Sequence, residues 1–322
     1  LSEDERAYRE NPALNQSFLK SLEDGRLNAK PSIKMKKLSK GNALLIGSAV
    51  DCLVTDPDSW GGYYVVMNDL PTPQFLKLTE ALACKMFNNG LYKVSKIPPD
   101  HIIEEVVKKL KIKSRKIETI IKYYQLDGEL TGLYNELAEN YDKTWILKED
   151  FELINDLAIN VTNHSYTINV FRNNREQFYQ KVIYFTHLGV ECKALLDMLQ
   201  IDHITKTIYP FDLKTTKAKP TRFFKSIEDF SYDIQARWYE YAIRSEYEDL
   251  FDSGYTMEPF TFVVASKADP SIPILVPLRF TSVAKIDMRI ERLMSKFKFY
   301  EQNGYGVDIE IIRNNGVLPF VI

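Results

Sequence analysis

The spacing of apolar positions divides the chain into three stretches, 1–60, 61–165 and 166–322. In the first, Phe18, Leu19 and Leu22 follow Asn15-Gln16-Ser17 with helical spacing, and Asn15 or Ser17 supplies a helix N-cap. Lys30-Pro31 interrupts the pattern, and Lys34, Lys36, Lys37 and Lys40 form a basic stretch. Leu45, Ala49 and Cys52 then recur at three to four residues, the pattern of a buried helix over 43–54 that Asp56-Pro57 ends. Between 61 and 165, Pro71, Pro73, Pro98 and Pro99 punctuate short helical stretches such as 102–107 and 151–157, which predicts a mostly helical insertion. From Glu176 the chain turns β-branched and aromatic. Strands are predicted over 178–185, 190–197, 207–214, 260–265 and 274–278, with His187-Leu188-Gly189 as the first turn. Amphipathic helices are predicted over 227–245 and 283–300. Strands followed by helix, strand and helix predict an α/β core built on a mixed sheet.

Composition narrows the class. With 45% apolar and 27% charged residues, the chain has the balance of a folded protein rather than a disordered one. No run approaches the ~18 apolar residues that a membrane helix needs. The start, Glu3-Asp4-Glu5, is acidic where a secretory leader is basic and then apolar, so the expectation is a cytoplasmic protein without a membrane partner. Cys52, Cys84 and Cys192 form no C-x-x-C pair, which argues against a zinc ribbon, a cysteine-held cluster or a disulfide framework. His101, His164, His187 and His203 lack the spacing of a zinc hydrolase. Neither a phosphate-binding G-x-x-x-x-G-K-[ST] loop nor a G-x-S-x-G elbow is present. A net charge of −2 shows no overall basic excess and leaves local patches open.

Candidate chemistry centres on Asp197 and Asp212-Leu213-Lys214. Residues two apart in a strand point the same way, so Asp212 and Lys214 share a face. Asp197 lies beside them if its strand pairs with theirs. Two carboxylates and the Leu213 carbonyl make an oxygen-rich site suited to Mg²⁺ or Mn²⁺. A neighbouring lysine can orient a water or offset charge on a phosphate. Asp-x-Lys taken by itself fits a solvated ion pair on a surface strand equally well. Lys217, Lys219, Arg222 and Lys225, interleaved with Phe223 and Phe224, suit either a DNA track or a solvated loop. The same choice holds for Lys108, Lys109, Lys111, Lys113, Arg115 and Lys116 in the insertion.

Several motifs together resemble the PD-(D/E)XK nucleases, and among them the phage and prophage exonucleases of the RecE (exodeoxyribonuclease VIII) group, relatives of lambda exonuclease and the RecB nuclease domain. Ser17-Phe18-Leu19-Lys20 resembles the group's S-x-L-K helix, and Gly47-Ser48-Ala49-Val50-Asp51 its G-x-A-x-H helix. The run 190–197, Val-Glu-Cys-Lys-Ala-Leu-Leu-Asp, resembles G-x-x-C-K-x-R-x-D. Asp212-Leu213-Lys214-Thr215-Thr216 matches D-x-K-T-T, and Tyr232-Asp233-Ile234-Gln235, continuing to Tyr239, matches Y-D-x-Q-x-x-x-Y. Two positions depart: Asp51 stands where the group has a metal-binding His, and Leu195 where many members have Arg.

The resemblance implies a PD-(D/E)XK core, a central mixed sheet flanked by helices, with a helical N-terminal region and a helical insertion. It implies Asp51, Asp197, Asp212 and Leu213 as ligands of Mg²⁺ or Mn²⁺, and Lys214, Glu176 and Gln235 as further active-site residues. Thr215, Lys217, Arg222, Lys225 and Tyr239 would meet DNA. The implied activity is hydrolysis of linear double-stranded DNA from its ends, 5′→3′, in phage-type recombination within a bacterial host. Implied partners are DNA ends, a single-strand annealing protein, and further copies of the chain in a trimeric or tetrameric ring. Alternatives are an endonuclease of the same superfamily, or a non-catalytic DNA-binding module, which the Asp51 exchange favours.

Overall fold

Alternation of apolar and polar residues after 175 builds one six-stranded sheet, and that sheet carries the candidate site. The computed structural model describes residues 3–23, 43–67, 71–88, 90, 96–140 and 143–304. The basic stretch at Lys34, Lys36, Lys37 and Lys40 lies outside them. Helices α1 (Glu3–Glu10), α2 (Gln16–Ser21) and α3 (Ala43–Thr55) come first, followed by α4 (Trp60–Tyr63) and strand β1 (Tyr64–Met67). Next are α5 (Pro73–Asn88), α6 (Asp100–Lys109), α7 (Ile117–Lys122), α8 (Thr131–Glu139), β2 (Thr144–Leu147), α9 (Lys148–Asn163) and α10 (Ile168–Phe171). The sheet strands β3 (Glu176–His187), β4 (Val190–Asp202) and β5 (Thr207–Thr216) lead into α11 (Phe223–Asp229), α12 (Tyr232–Glu246) and α13 (Glu248–Asp252). Strands β6 (Thr256–Met257), β7 (Thr261–Ser266) and β8 (Asp269–Pro277) precede α14 (Val283–Asn303).

The chain divides into two units, one from the described residues of 1–57 and 153–304, the other from 58–152. The sequence pattern sets this boundary at 61 and 165; the second half of α9 belongs instead with the sheet. In the smaller unit, Leu78, Leu82, Met86, Ile103, Val106 and Tyr134 form a closed core. Its β1 and β2 pair in parallel. The lysines and arginine of 108–116 are all exposed on it. Among the described residues no helix is long and apolar enough to cross a membrane.

Within the larger unit the strand order is β3-β4-β5-β7-β8, with β6 pairing β5. The β5–β6 and β5–β7 pairs are parallel and the rest antiparallel, so the sheet is mixed. Pro210 is tolerated in the central strand because it falls between the residues that pair β6 and those that pair β7. One side of the sheet buries Ile183, Phe185, Leu196, Phe260 and Phe262 with Ile234, Trp238, Ile290 and Leu293 of α12 and α14. Trp238, fully buried, donates its indole N–H to the Lys193 carbonyl at 3.1 Å, which seats α12 on β4.

Two departures from regularity bear on the site. First, the inward positions change phase: Phe178 packs on this core before Gln180, Ile183 and Phe185 after it. In β4 the even positions 192, 194 and 196 give way to Leu199 and Ile201. Both strands switch together, so Tyr179↔Met198 and Lys181↔Leu196 keep one register. Gln180 takes up the switch with a left-handed backbone, φ 48°, a conformation costing a side-chain-bearing residue about 1–2 kcal/mol. Second, the single helix predicted over 227–245 is two, α11 and α12. Ser231 interrupts it at φ 48°, and its hydroxyl accepts from Arg289 at 2.9 Å. The other predicted elements form, although β4 runs five residues further, β8 begins five residues earlier and α9 extends well beyond 151–157; Asn15 caps α2 by accepting from the Phe18 N–H at 2.8 Å.

Helix α3 approaches β5 through Gly47, where an added Cβ would stand 3.0 Å from Thr215 Oγ1. Gly47→Val therefore overpacks the contact and lowers unfolding stability by about 1–3 kcal/mol. Urea denaturation checks this; a variant as stable as wild type would show that α3 does not depend on the close approach.

Candidate active site

The β4–β5 ladder ends at Met198↔Phe211. Beyond that pair β4 stays on β3, with Leu14 bridging its freed edge at Cys192, and β5 runs with β7 from Phe211 to Thr216. The strands fork, and the candidate residues sit at the fork. Asp197 and Asp212 are the first residues past the last pair, so both carboxylates lie at its mouth. The backbone N–H of Leu213 has lost its strand partner there and donates instead to Asp197 Oδ2 at 2.9 Å. An extended residue turns its N–H and C=O to the same edge, which leaves the Leu213 carbonyl on the fork side as well.

Asp212 is buried, and its Oδ1 accepts from Gln235 Nε2 at 2.6 Å. Its Oδ2 forms an ion pair with the Lys214 ammonium. Trp238, less than one turn after Gln235, explains why that amide faces inward: the indole anchors α12 on the sheet with Gln235 toward β5. Lys214 also stands 5.2 Å from the Tyr232 ring centroid and 6.0 Å from that of Phe262. Asp51, on α3, accepts from Gln180 Nε2 at 2.9 Å. Thr215 and Lys214, adjacent in an extended strand, point to opposite faces. Helix α3, seated on Thr215, therefore brings Asp51 to the fork from the face away from Lys214.

Electrostatics tie these groups together. Burial, then Asp212 and Asp51, push the Asp197 carboxyl well above the ordinary carboxylate value of 3.8, and Lys214 and the Leu213 N–H only partly oppose this. Burial disfavours the Lys214 charge, but Asp212 and Asp197 outweigh it and hold the ammonium above its ordinary value. Burial next to the two aspartates keeps the Tyr239 phenol protonated. Among the described residues no three His, Cys, Asp or Glu side chains are drawn into a ready-made metal cage. The donor chemistry nevertheless suits a hard divalent cation. Three carboxylates act on one another here beside one ammonium, and the burial and repulsion that raise Asp197 are both relieved when a divalent cation meets its carboxylate. Asp51, Asp197, Asp212 and the Leu213 carbonyl are the groups that would hold it.

Other expected residues lie elsewhere. Glu176 stands four residues before Gln180 and accepts or shares a proton with His203 Nε2 at 2.9 Å, so the fork does not include it. Tyr239 is buried under the sheet rather than facing DNA. Phe223 is core, while Phe224, Lys217, Lys219, Arg222 and Lys225 are exposed, and Thr215 is half-buried against α3. Leu195 pairs with Val182 and touches none of the acids by hydrogen bond. Three residues join the site that motif reading did not assign a role: Gln180, Tyr232 and Lys20. Lys20 donates to the Phe230 carbonyl at 3.1 Å and lies 5.7 Å from the Tyr232 ring. Burial and the nearby Lys214 lower its pKa to about 8. The signal for Lys20 was its place in the S-x-L-K run; Gln180 showed only as a polar position where β3 alternation falters.

Residues 16–304 match the family described as a PDDEXK-like domain of unknown function. The chain belongs to that family. It thus has the PD-(D/E)XK nuclease fold, whose members generally use divalent metal ions. None of the curated proteins matches this PDDEXK-like chain. A crystal structure of a "Putative exonuclease" from Eubacterium rectale is 16% identical and covers 79% of this chain and 96% of its own, at a TM-score of 0.38, a likeness too low to carry weight.

A carboxyl whose folded-state pKa is raised destabilises the fold once ionised, so stability falls as pH rises from about 4 through the raised value. Asp197→Asn, whose amide oxygen can still accept from Leu213, should therefore raise the urea midpoint at pH 7 in EDTA. The gain should vanish towards pH 4, where the wild-type carboxyl is protonated. A variant less stable than wild type at pH 7 would contradict the raised value.

Proposed function

We propose that this PDDEXK-like chain is a divalent-metal-dependent exonuclease that degrades linear double-stranded DNA from its 5′ ends. The observation that carries the reading is the convergence of Asp197, Asp212 and Lys214 at the fork, with Asp51 reaching it from α3. A divalent cation held by these acids would polarise the scissile phosphate and favour ionisation of an attacking water. The chain's own groups do the rest. Lys214, kept charged by its aspartates, offsets negative charge on the phosphate in the transition state. Gln235 fixes the Asp212 rotamer through one oxygen. The Leu213 N–H fixes Asp197 in the same way. Tyr232 walls the ammonium on one side, where it excludes water and strengthens the charge interactions.

Exposed Lys217, Lys219, Arg222 and Lys225 follow β5 directly and would track the phosphate backbone into the site. Phe224, largely exposed beside them, suits stacking on a base at a DNA end. Phage-type recombination alongside a single-strand annealing protein, and assembly of the chain into a ring, complete the reading.

The test uses linear duplex DNA labelled at one 5′ or one 3′ end, with a closed circle as control. Wild type with Mg²⁺ or Mn²⁺ should release labelled mononucleotide from the 5′ end first and leave the circle intact; EDTA should stop it. Asp212→Asn should lower the rate at least 10³-fold while DNA is still bound. Cutting of the circle would replace this reading with an endonuclease. DNA retained in a gel shift but never cut would replace it with a binding module. Replacing Lys217, Arg222 and Lys225 together by Ala should weaken binding to all sequences alike and reduce the salt slope by up to about 3. An unchanged slope would remove this strip from the interface.

A further inference from the structure

Six non-glycine residues among those described have a left-handed backbone: Lys111, Asp127, Gln180, Leu188, Lys206 and Ser231. Five of them sit in turns, where such a conformation reverses the chain. Gln180 alone lies inside a strand, near the middle of β3, between the pairs Tyr179↔Met198 and Lys181↔Leu196. A left-handed residue with a side chain inside a strand is rare, and it persists where the surroundings hold it. What it accomplishes is visible in the side chain. Gln180 Nε2 donates to Asp51 Oδ2 at 2.9 Å and to Thr55 Oγ1 at 3.2 Å. Thr55 in turn donates to the Asp51 backbone carbonyl at 2.8 Å. The amide therefore bridges two residues one helical turn apart on α3. Its orientation is fixed by chemistry, since the reversed amide would aim an oxygen at a carboxylate.

We propose that Gln180 is the positioning residue for Asp51, and that the left-handed backbone of β3 is kept because it aims this amide across to α3. The amide is a neutral donor that draws Asp51 towards the sheet despite two like-charged neighbours. With it, one Asp51 oxygen is tied to the sheet that carries Asp197. The rival explanation is that the left-handed residue serves only the change of phase in β3 and β4. The two explanations separate at glycine, which adopts the backbone freely and lacks the amide.

The inference rests on Asp51 acting as a cation ligand, so Asp51→Asn is measured beside Gln180→Gly. The full chain, without DNA, is titrated with Mn²⁺ by calorimetry, and melting is followed in EDTA and in Mn²⁺. Gln180→Gly should melt at or above the wild-type temperature in EDTA, yet bind Mn²⁺ about tenfold more weakly, close to Asp51→Asn. Gln180→Glu sets a second carboxylate against Asp51. It should melt lower than wild type in EDTA and gain more from Mn²⁺ than wild type does. That variant carries the test if the glycine chain does not fold. Wild-type Mn²⁺ affinity in Gln180→Gly, with weakened affinity in Asp51→Asn, overturns the positioning role and leaves the proposed nuclease intact. Wild-type affinity in Asp51→Asn overturns the ligand role of Asp51 and the positioning role with it. No Mn²⁺ binding by the wild-type chain overturns the metal-dependent reading itself.

Discussion

Crowding of like charges at the end of one strand ladder is the constraint around which the rest of this structure is arranged. Asp197 and Asp212 follow the last pair of β4 and β5, and Asp51 adds a third carboxylate within range of their fields. Carboxylates brought together away from bulk water repel one another far more strongly than in solution. The fold answers with short, directed contacts rather than with distance. Lys214 meets one Asp212 oxygen and Gln235 the other. Leu213 N–H, left without a strand partner by the fork, finds Asp197. That last contact works in both directions, because a backbone donor that would otherwise be orphaned is satisfied by the acid it steadies.

Each helix that touches the fork is held by a feature that makes sense only with the acids in place. Gly47 lets α3 come close enough to β5 for Asp51 to reach the sheet. Trp238 locks α12 to the β4 backbone, and the same helix face then presents Gln235 to Asp212. The interruption at Ser231, held by Arg289, sets where α12 begins and so places Tyr232 between the sheet and two lysines, Lys214 and Lys20. A continuous helix over 227–245 would have carried that ring elsewhere. Packing and site geometry here are one set of contacts.

Much of the fold was legible because it depends on local pattern. The five strands, the helix at 43–54 and the last helix follow from apolar spacing, and Asp212 with Lys214 from the period of two in a strand. What pattern could not carry are the contacts between distant segments. The phase change in β4 is written in the sequence, as Cys192, Ala194 and Leu196 giving way to Leu199 and Ile201, yet periodicity cannot say which residue absorbs it. On β3 the matching change falls at Gln180, whose amide is aimed at a helix some 130 positions earlier. Glu176 was expected in the site from the resemblance; the structure gives that end of β3 to His203 instead. Tyr239 shares a helix face with Gln235, but that face is the buried one.

The acids are also steadied by neutral donors and not by cations alone, and this distinguishes the fork from a structural ion pair. A lysine set between two aspartates could balance a buried site, and replacing such a group by apolar residues would then often be neutral or stabilising. Here a third acid is held in place by an amide, which fixes its position without cancelling its charge. Lys20, whose pKa burial and Lys214 lower to about 8, keeps most of its charge at neutral pH and is a second cation near Asp212. Each acid at the fork thus has a neutral donor: Asp51 the Gln180 amide, Asp212 the Gln235 amide and Asp197 the Leu213 N–H. Neutral donors steady carboxylates without occupying them, and that is the condition under which a carboxylate cluster retains affinity for a cation.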